Sequence, residues 1–237
     1  MYYDNAPVVL VSGGKGGVGK SSVSAGIVKA LAHNGLHVGL LDADLTGPSQ
    51  SVLFGGQMSA SGDSLVPMHS GNVSVCSLGY LSESPSALVW SEDAMRSLFA
   101  RFLFETAWGD IDLMVVDLPP TSGAVTRLLM ERIERAGTVF VTTASDLAIA
   151  DCRRDITFHR KLENNPLGII HNMAYIKCVD CQHFQPIGTD ESLNSLADEV
   201  GLSILAKLPY DDRIACGAHL DDTAVFIAEQ LGVIHDK

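Results

Sequence analysis

The stretch from Val8 to Ser22, Val-Val-Leu-Val-Ser-Gly-Gly-Lys-Gly-Gly-Val-Gly-Lys-Ser-Ser, constrains this chain more than any other part of it. Val8 to Val11 is a short apolar run rich in β-branched residues, as in a strand buried on both faces. After the glycines, Val23, Ile27, Ala30 and Leu31 recur at helical spacing, and Gly35 is placed to end that helix. Strand, glycine turn and helix in this order gather backbone N–H groups and a positive helix end around one point, which favours phosphate. Gly14, four residues, then Gly19-Lys20-Ser21 is the Walker A spacing. In that pattern Gly14, Lys15, Gly16, Gly17, Val18, Gly19 and Ser22 contribute to the phosphate cradle. Lys20 reaches the β- and γ-phosphates, and Ser21 holds Mg²⁺.

The rest of the chain alternates short apolar runs with helical periodicity. Strands are expected at Val38–Leu41, Leu113–Val116, Val139–Thr142, Leu167–Ile170 and Ile204–Leu205. Helices are expected around 92–103 with Ser91 as cap, Val125–Ile133, 147–162, 193–200 and Ala224–Leu231. Leu65–His69 and Val73–Cys76 flank Ser70-Gly71-Asn72, the pattern of a hairpin inserted near 60–78. The expected fold is therefore α/β, with a mostly parallel central sheet and helices on both faces: the three-layer P-loop NTPase fold. One domain over 1–237 is the economical reading. Ligands in such sheets bind beyond the carboxyl ends of the strands, where the polar candidates lie.

Three of those candidates are acids. Asp42 and Asp44 close the second strand, two residues apart and so able to share a face toward Mg²⁺ or an attacking water. The following Leu-Thr-Gly-Pro is also rich in turn residues, so Asp44 equally suits a turn. Asp117 ends Leu113-Met-Val-Val, the Walker B arrangement that holds Mg²⁺ directly or through water. Pro119, Pro120 and Gly123 shape the segment after it.

Charge and composition exclude several classes. A formal net charge of −12 disfavours nucleic acid and anionic lipid as partners. No apolar run is long enough to cross a bilayer. The first residues lack the basic and apolar regions of a signal peptide, so a cytoplasmic protein is expected. The C-terminal Ala224-to-Lys237 segment has no basic cluster, unlike an amphipathic membrane-binding helix. Five cysteines, with one close pair, do not form a secreted disulfide framework. Cys76, Cys152 and Cys216 stand among apolar neighbours and are expected to be ordinary core or helix residues. Cys178-Val-Asp-Cys181 admits three chemistries. A redox dithiol lacks its usual helix-start context here. A zinc ion needs about four ligands. Two such pairs meeting across a two-fold axis would supply four thiolates, for zinc or for a [4Fe–4S] cluster, and ligand type alone does not decide.

Lys15, five residues before Lys20, gives the loop the form found in deviant Walker A ATPases, which the segment resembles. That resemblance implies ATP as ligand, Lys15 acting across a homodimer on the partner's nucleotide, and Asp44 orienting the water, with a magnesium-side role for Asp42. Asp117-Leu-Pro-Pro120, Asn172-Met-Ala-Tyr175 and the Cys178–Cys181 pair within 174–188 narrow the likeness to the Mrp/ApbC family of iron–sulfur cluster carriers. It extends over Trp90, Trp108-Gly-Asp110 and Thr142-to-Ser145, nearly the whole chain. Where the family continues Gly-Thr-Gly, this chain has Thr121-Ser122-Gly123. Larger members carry an N-terminal addition, so this chain is expected to be a minimal one. The resemblance implies adenine recognition by Asn172 with Pro209 and Asp211, and a [4Fe–4S] cluster passed to client apoproteins. The rival expectation is a positioning ATPase of the ParA/MinD type, which needs no cysteine pair.

Overall fold

The computed structural model describes residues 5–61, 64–81, 91–120, 123–133, 135–178 and 180–234. Trp90, Thr121 and Ser122 lie outside them. The strands are β1 (Val8–Ser12), β2 (Val38–Asp42), β3 (Ser59–Ser61), β4 (Ser64–Val66), β5 (Met68–Ser70), β6 (Val73–Cys76), β7 (Leu113–Asp117), β8 (Ala136–Thr142), β9 (Asn165–Lys177), β10 (Phe184–Pro186) and β11 (Ile204–Pro209). The helices are α1 (Lys20–His33), α2 (Gln50–Phe54), α3 (Glu92–Phe104), α4 (Ala124–Met130), α5 (Asp146–Lys161), α6 (Glu191–Val200) and α7 (Asp221–Gln230).

Seven strands run parallel in the order β11-β9-β8-β1-β7-β2-β6, with β5 and β10 antiparallel at the margins. The fold is thus the mixed, mostly parallel α/β sheet that the alternation implies. β1, β2 and β7 are buried at every position, since helices cover both faces. Alternate residues divide between those faces. Val9, Val11, Leu40 and Val115 pack against α1 and α7 through Val23, Ile27, Ala224 and Ile227. Val8, Leu10, Leu41, Met114 and Val116 meet α3 through Phe99, Phe102 and Leu103. Phe140 and Ile169 pack with α5 and α6 through Ile149, Ile156, Leu193 and Leu196. Phe102 and Phe140 are both fully buried, and truncating either to alanine costs about 3–5 kcal/mol.

Ser91 caps α3 as its position implies, its Oγ accepting from Ala94 N–H; Ser145 Oγ accepts from Ala148 N–H at the start of α5, and Gly201 ends α6 in the left-handed conformation. The hairpin expected around Ser70-Gly71-Asn72 forms as the antiparallel pair β5–β6, and β6 joins the main sheet beside β2. One region differs from the sequence pattern. The strand expected to stop near Asn172 continues to Lys177, because β11 pairs as far as Tyr175 and β10 pairs with Tyr175–Lys177. Met173, at φ 55, kinks that long strand just after Asn172.

Candidate functional site

Residues 13–19 turn the end of β1 into the start of α1. Gly17 and Gly19 have φ of +84 and +90, which L side chains rarely adopt. The loop also lies hard against its neighbours. A Cβ on Gly13 would sit 2.5 Å from the Val141 carbonyl oxygen, and one on Gly14 would sit 2.5 Å from that of Asp151. A Cβ on Gly19 would lie 2.2 Å from Asn172 Nδ2, which donates to the Val18 carbonyl at 2.9 Å. Asn172 is thereby fixed against the loop by the kinked strand, and its Oδ1 has no hydrogen-bond partner among the described residues.

Lys20 Nζ donates to the Lys15 carbonyl at 3.2 Å. Burial holds the Lys20 amine below the usual lysine range, while the negative charges of Asp117, Asp44 and Asp155 act against that shift. Lys15 itself is half-buried, and Gly16 and Gly17 are exposed.

The sheet register sets Asp42 beside Asp117 at the ends of β2 and β7. Asp117 accepts from Ser24 Oγ at 3.1 Å, from Gln50 Nε2 at 2.7 Å and from the Ser21 hydroxyl. Asp42 accepts from Ser49 N–H and Gln50 N–H at 3.0 Å each, from Ser77 Oγ at 2.9 Å and from Asp44 N–H at 3.2 Å. Burial pushes both carboxyls upward, Asp42 to about 7, with the charge of Asp117 adding to the effect on Asp42. A divalent cation near both acids would offset that cost. With the Ser21 hydroxyl, the donors are all oxygen, which suits Mg²⁺ completed by nucleotide phosphates and water. Asp44 is half-buried, and its Oδ1 accepts from Thr46 N–H, Thr46 Oγ1 and Gly47 N–H. One oxygen thus closes the turn that its sequence context implies, while the residue also borders the phosphate-side cleft.

That cleft, of about 240 Å³, is lined by Gly16, Lys20, Ser21, Asp44, Ser49 and Pro120. A second, of about 220 Å³, is lined by Asn172, Met173, Pro209, Tyr210 and Asp211. Gly19 and Ser22 border both, so the two join at the start of α1. The structure therefore brings together the phosphate loop, the strand-end acids and the base-side residues expected from sequence. Asp211 also holds Arg213: its carboxylate accepts from Arg213 N–H at 2.9 Å and from the guanidinium, which keeps it well below the usual carboxylate range.

Cys178 and Cys181 lie in the turn between β9 and β10. Cys178 N–H donates to the His183 carbonyl at 2.9 Å, and Gln182 N–H donates to the Cys178 carbonyl at 3.0 Å. The backbone N–H groups of Cys181 and Asp180 draw the Cys178 thiol toward its thiolate. Cys178 is half-buried and Cys181 exposed. Beside them opens a groove of about 890 Å³ bordered by Tyr175, Cys178, Phe184, Tyr210, Arg213 and His219. Among the described residues, no group of three or more His, Cys, Asp or Glu side chains is arranged to hold a metal ion. Cys76 and Cys152 are buried, and burial pushes their thiols up to about 12, which leaves them inert. Cys216, expected in the core or on a helix, ends the 3₁₀ turn Asp212–Cys216 and is exposed, the inward positions being Ile214 and Ala215.

Ser24, Gln50, Ser77 and Asp155 complete the polar surroundings and were not read from the sequence. Ser24 lies one turn after Lys20, a signal that was available. Asp155 accepts from Ser12 Oγ at 2.7 Å beneath the loop. Nothing local in the sequence pairs Gln50 or Asp155 with the loop.

A phosphate loop at the carboxyl end of a central parallel strand, with strand-end acids beside it, makes this chain a P-loop NTPase. The family model described as the NUBPL iron-transfer P-loop NTPase, of ParA type, matches residues 5–233, and the chain belongs to that family. It is 37% identical over 207 residues to the iron-sulfur cluster carrier protein of Pseudomonas fragi, an alignment covering 85% of this chain and 72% of the relative. It is 41% identical over 211 residues to the carrier of Deinococcus radiodurans, covering 87% of this chain and 60% of that protein. The corresponding match in Escherichia coli K12 is 36% identical and spans 56% of the relative. Among solved structures, it resembles a nucleotide-binding protein from Archaeoglobus fulgidus in complex with ADP, with TM-score 0.74, 30% identity, and coverage of 92% of this chain and 88% of that one. The cell division ATPase MinD of Pyrococcus furiosus shares the fold, with TM-score 0.68 and 16% identity over 95% and 99% of the two chains.

Proposed function

We propose that this protein is an ATP-hydrolysing iron–sulfur cluster carrier, which holds a [4Fe–4S] cluster between two copies of the chain and passes it to client apoproteins in the cytoplasm. The observation that carries the reading is the pairing, within one chain, of a complete phosphate-side site with an accessible cysteine pair on the β9–β10 turn. The names of the 34–41% identical relatives supply the cargo.

In this reading, the loop amides, Lys20 and Ser21 hold the phosphates of ATP. Ser21 and Asp117 hold Mg²⁺, which when bound neutralises phosphate charge. Asp42 anchors the segment 44–50 beside the metal. Asp44 orients the attacking water, through the oxygen that the Thr46–Gly47 turn leaves free. Lys15 reaches the partner's nucleotide and supports the charge developing on the transferred phosphoryl group. Asn172 Oδ1, buried and without a partner among the described residues, accepts from the adenine amine, with Pro209 and Asp211 forming the opposite wall. Two thiolates per chain make four across a two-fold axis. Zinc in the same position is the alternative, and slow turnover without a client is part of the proposal.

The test is anaerobic reconstitution with iron and sulfide of the wild type and of a Cys178→Ala/Cys181→Ala double variant, with iron, sulfide, mass and visible spectrum recorded. About one cluster per dimer, absent from the variant, supports the carrier reading. A wild type that stays colourless, or takes only zinc, overturns it and leaves the ATPase assignment standing.

A further inference from the structure

Gln50 is the first residue of α2, follows the Asp44–Ser49 segment, and is fully buried. Its Nε2 donates to Asp117 Oδ2 at 2.7 Å and to the Ser21 carbonyl at 3.1 Å. Its backbone N–H donates to Asp42 at 3.0 Å. One residue therefore touches both strand-end acids and the residue of α1 that carries the Walker A hydroxyl. The orientation of the amide is set by chemistry. A carboxylate and a carbonyl both accept, so the NH₂ must face them. That leaves Oε1 buried with no partner among the described residues. A buried amide oxygen without a donor is costly, by the same reasoning that makes other buried polar groups find partners. Asp117 and Asp42, ionised as they are beside a divalent cation, offer it no hydrogen. The donor that fits this place is a water held by a cation, whose protons are polarised outward.

We propose that Gln50 is a positioning residue of the magnesium site: its NH₂ holds Asp117 in place, and its Oε1 accepts from a metal-bound water when Mg²⁺ and nucleotide are present. The inference rests on the nucleotide-site reading above. It gives the 44–50 segment a direct link to the metal, since the backbone of the same residue is pinned to Asp42. Removing an outer-sphere partner of a metal ligand typically costs 10–100-fold in metal affinity. Phosphate binding by the loop amides does not involve Gln50.

The test measures binding of a fluorescent ATP analogue to the full chain by anisotropy, in EDTA and across an Mg²⁺ titration, for the wild type and for Gln50→Leu, Gln50→Asn and Ser24→Ala. Thermal unfolding of each variant is followed in parallel. Gln50→Leu is expected to need about 10-fold or more Mg²⁺ for half-effect, read relative to its own affinity in EDTA. Gln50→Asn keeps the amide but shortens its reach, and should fall between. Ser24→Ala removes another donor to Asp117 but no acceptor for water, so a role limited to satisfying Asp117 predicts equal shifts in Ser24→Ala and Gln50→Leu. Equal shifts, or an unchanged Mg²⁺ midpoint in Gln50→Leu, overturn the inference. If Gln50→Leu does not fold, the Gln50→Asn midpoint decides by the same comparison. A wild type that binds no nucleotide with Mg²⁺ overturns the nucleotide-site reading instead, which separates the two failures.

Discussion

Acid should affect this fold through two buried groups of opposite sign, and removing one exposes the other. His159 is fully buried on α5, one turn after Asp155, and its Nε2 lies 3.8 Å from Asp155 Oδ1. Burial lowers the imidazole to about 4 and raises the Asp155 carboxyl to about 6, with Lys20 acting against the latter. His159 is neutral in both folded and unfolded states above its ordinary value of 6.5. As pH falls below that value, the unfolded chain takes up a proton that the folded one refuses, and stability is lost until about pH 4. Asp155 works the other way. The folded chain takes up its proton near pH 6, before the unfolded chain does near 3.8, so acid restores stability that the buried charge had cost. Between pH 7.5 and 5, the linkage relation gives a loss of about 2 kcal/mol from His159 and a gain of about 1 kcal/mol from Asp155. In the wild type the gain offsets part of the loss. Asp155→Asn should therefore lose about 1 kcal/mol more than the wild type over this interval, and His159→Gln should lose about 2 kcal/mol less. Urea unfolding at pH 7.5 and pH 5 measures both, and taking differences from the wild type removes the contribution of other carboxylates. If the Asp155→Asn stability runs parallel to the wild type across the interval, the opposed-pair argument is wrong.

Three further outcomes follow from the site geometry. Asp44→Ala should leave nucleotide affinity within about 3-fold while lowering kcat by about 10²-fold or more, since in the proposed role Asp44 orients water and is not part of the phosphate cradle; loss of ATP binding in a filter assay would refute that assignment. Gly19→Ala forces a side chain onto φ +90 and into Asn172 Nδ2, and should cost about 2–3 kcal/mol from strain and the displaced Asn172–Val18 hydrogen bond, read as a lowered urea midpoint. Lys20→Gln should weaken ATP binding by about 10²-fold with little loss of stability, because it replaces a desolvated amine with a neutral group; calorimetric titration with ATP checks it.

What the sequence made legible is what local spacing encodes. Strand, glycines, Lys20 and Ser21 are contiguous, so one segment defines both the loop and its chemistry. Asp42 and Asp117 were readable because each follows an apolar run, and parallel pairing then sets them side by side. Gln50 was not readable. Its role depends on a five-residue helix turning back over Asp42, and that turn is held by hydrogen bonds from residues 44, 49, 50 and 77. Asp155 and His159 look like ordinary polar positions of an amphipathic helix; only the packing of α5 against β8 and β9 turns them inward. The short β10 escaped detection because Phe184-Gln-Pro carries no alternation that a window could register. Cys216 has apolar neighbours in sequence, but a 3₁₀ turn buries positions 214 and 215 and leaves 216 outside.

In the proposed reading, the loop at residues 209–212 is where nucleotide and cysteine chemistry meet. Pro209, Tyr210, Asp211 and Asp212 border the 220 Å³ cleft beside Asn172 and also the 890 Å³ groove beside Cys178. Two ties hold that loop in register with the cysteine-bearing strand: Tyr210 N–H donates to the Tyr175 carbonyl at 2.8 Å, and Pro209 pairs with Tyr175 across the sheet. Asn172, three residues earlier on the same strand, is bonded to the phosphate loop at Val18. A rigid path thus runs from the loop that cradles phosphate, through Asn172 and the kink at Met173, to Tyr175 and then Cys178. Any ligand that prefers one position of residues 209–213 changes both walls together, and linkage requires the effect to be mutual. Under the proposed function, the one loop shared by both clefts is the physical means by which nucleotide and cluster would sense each other.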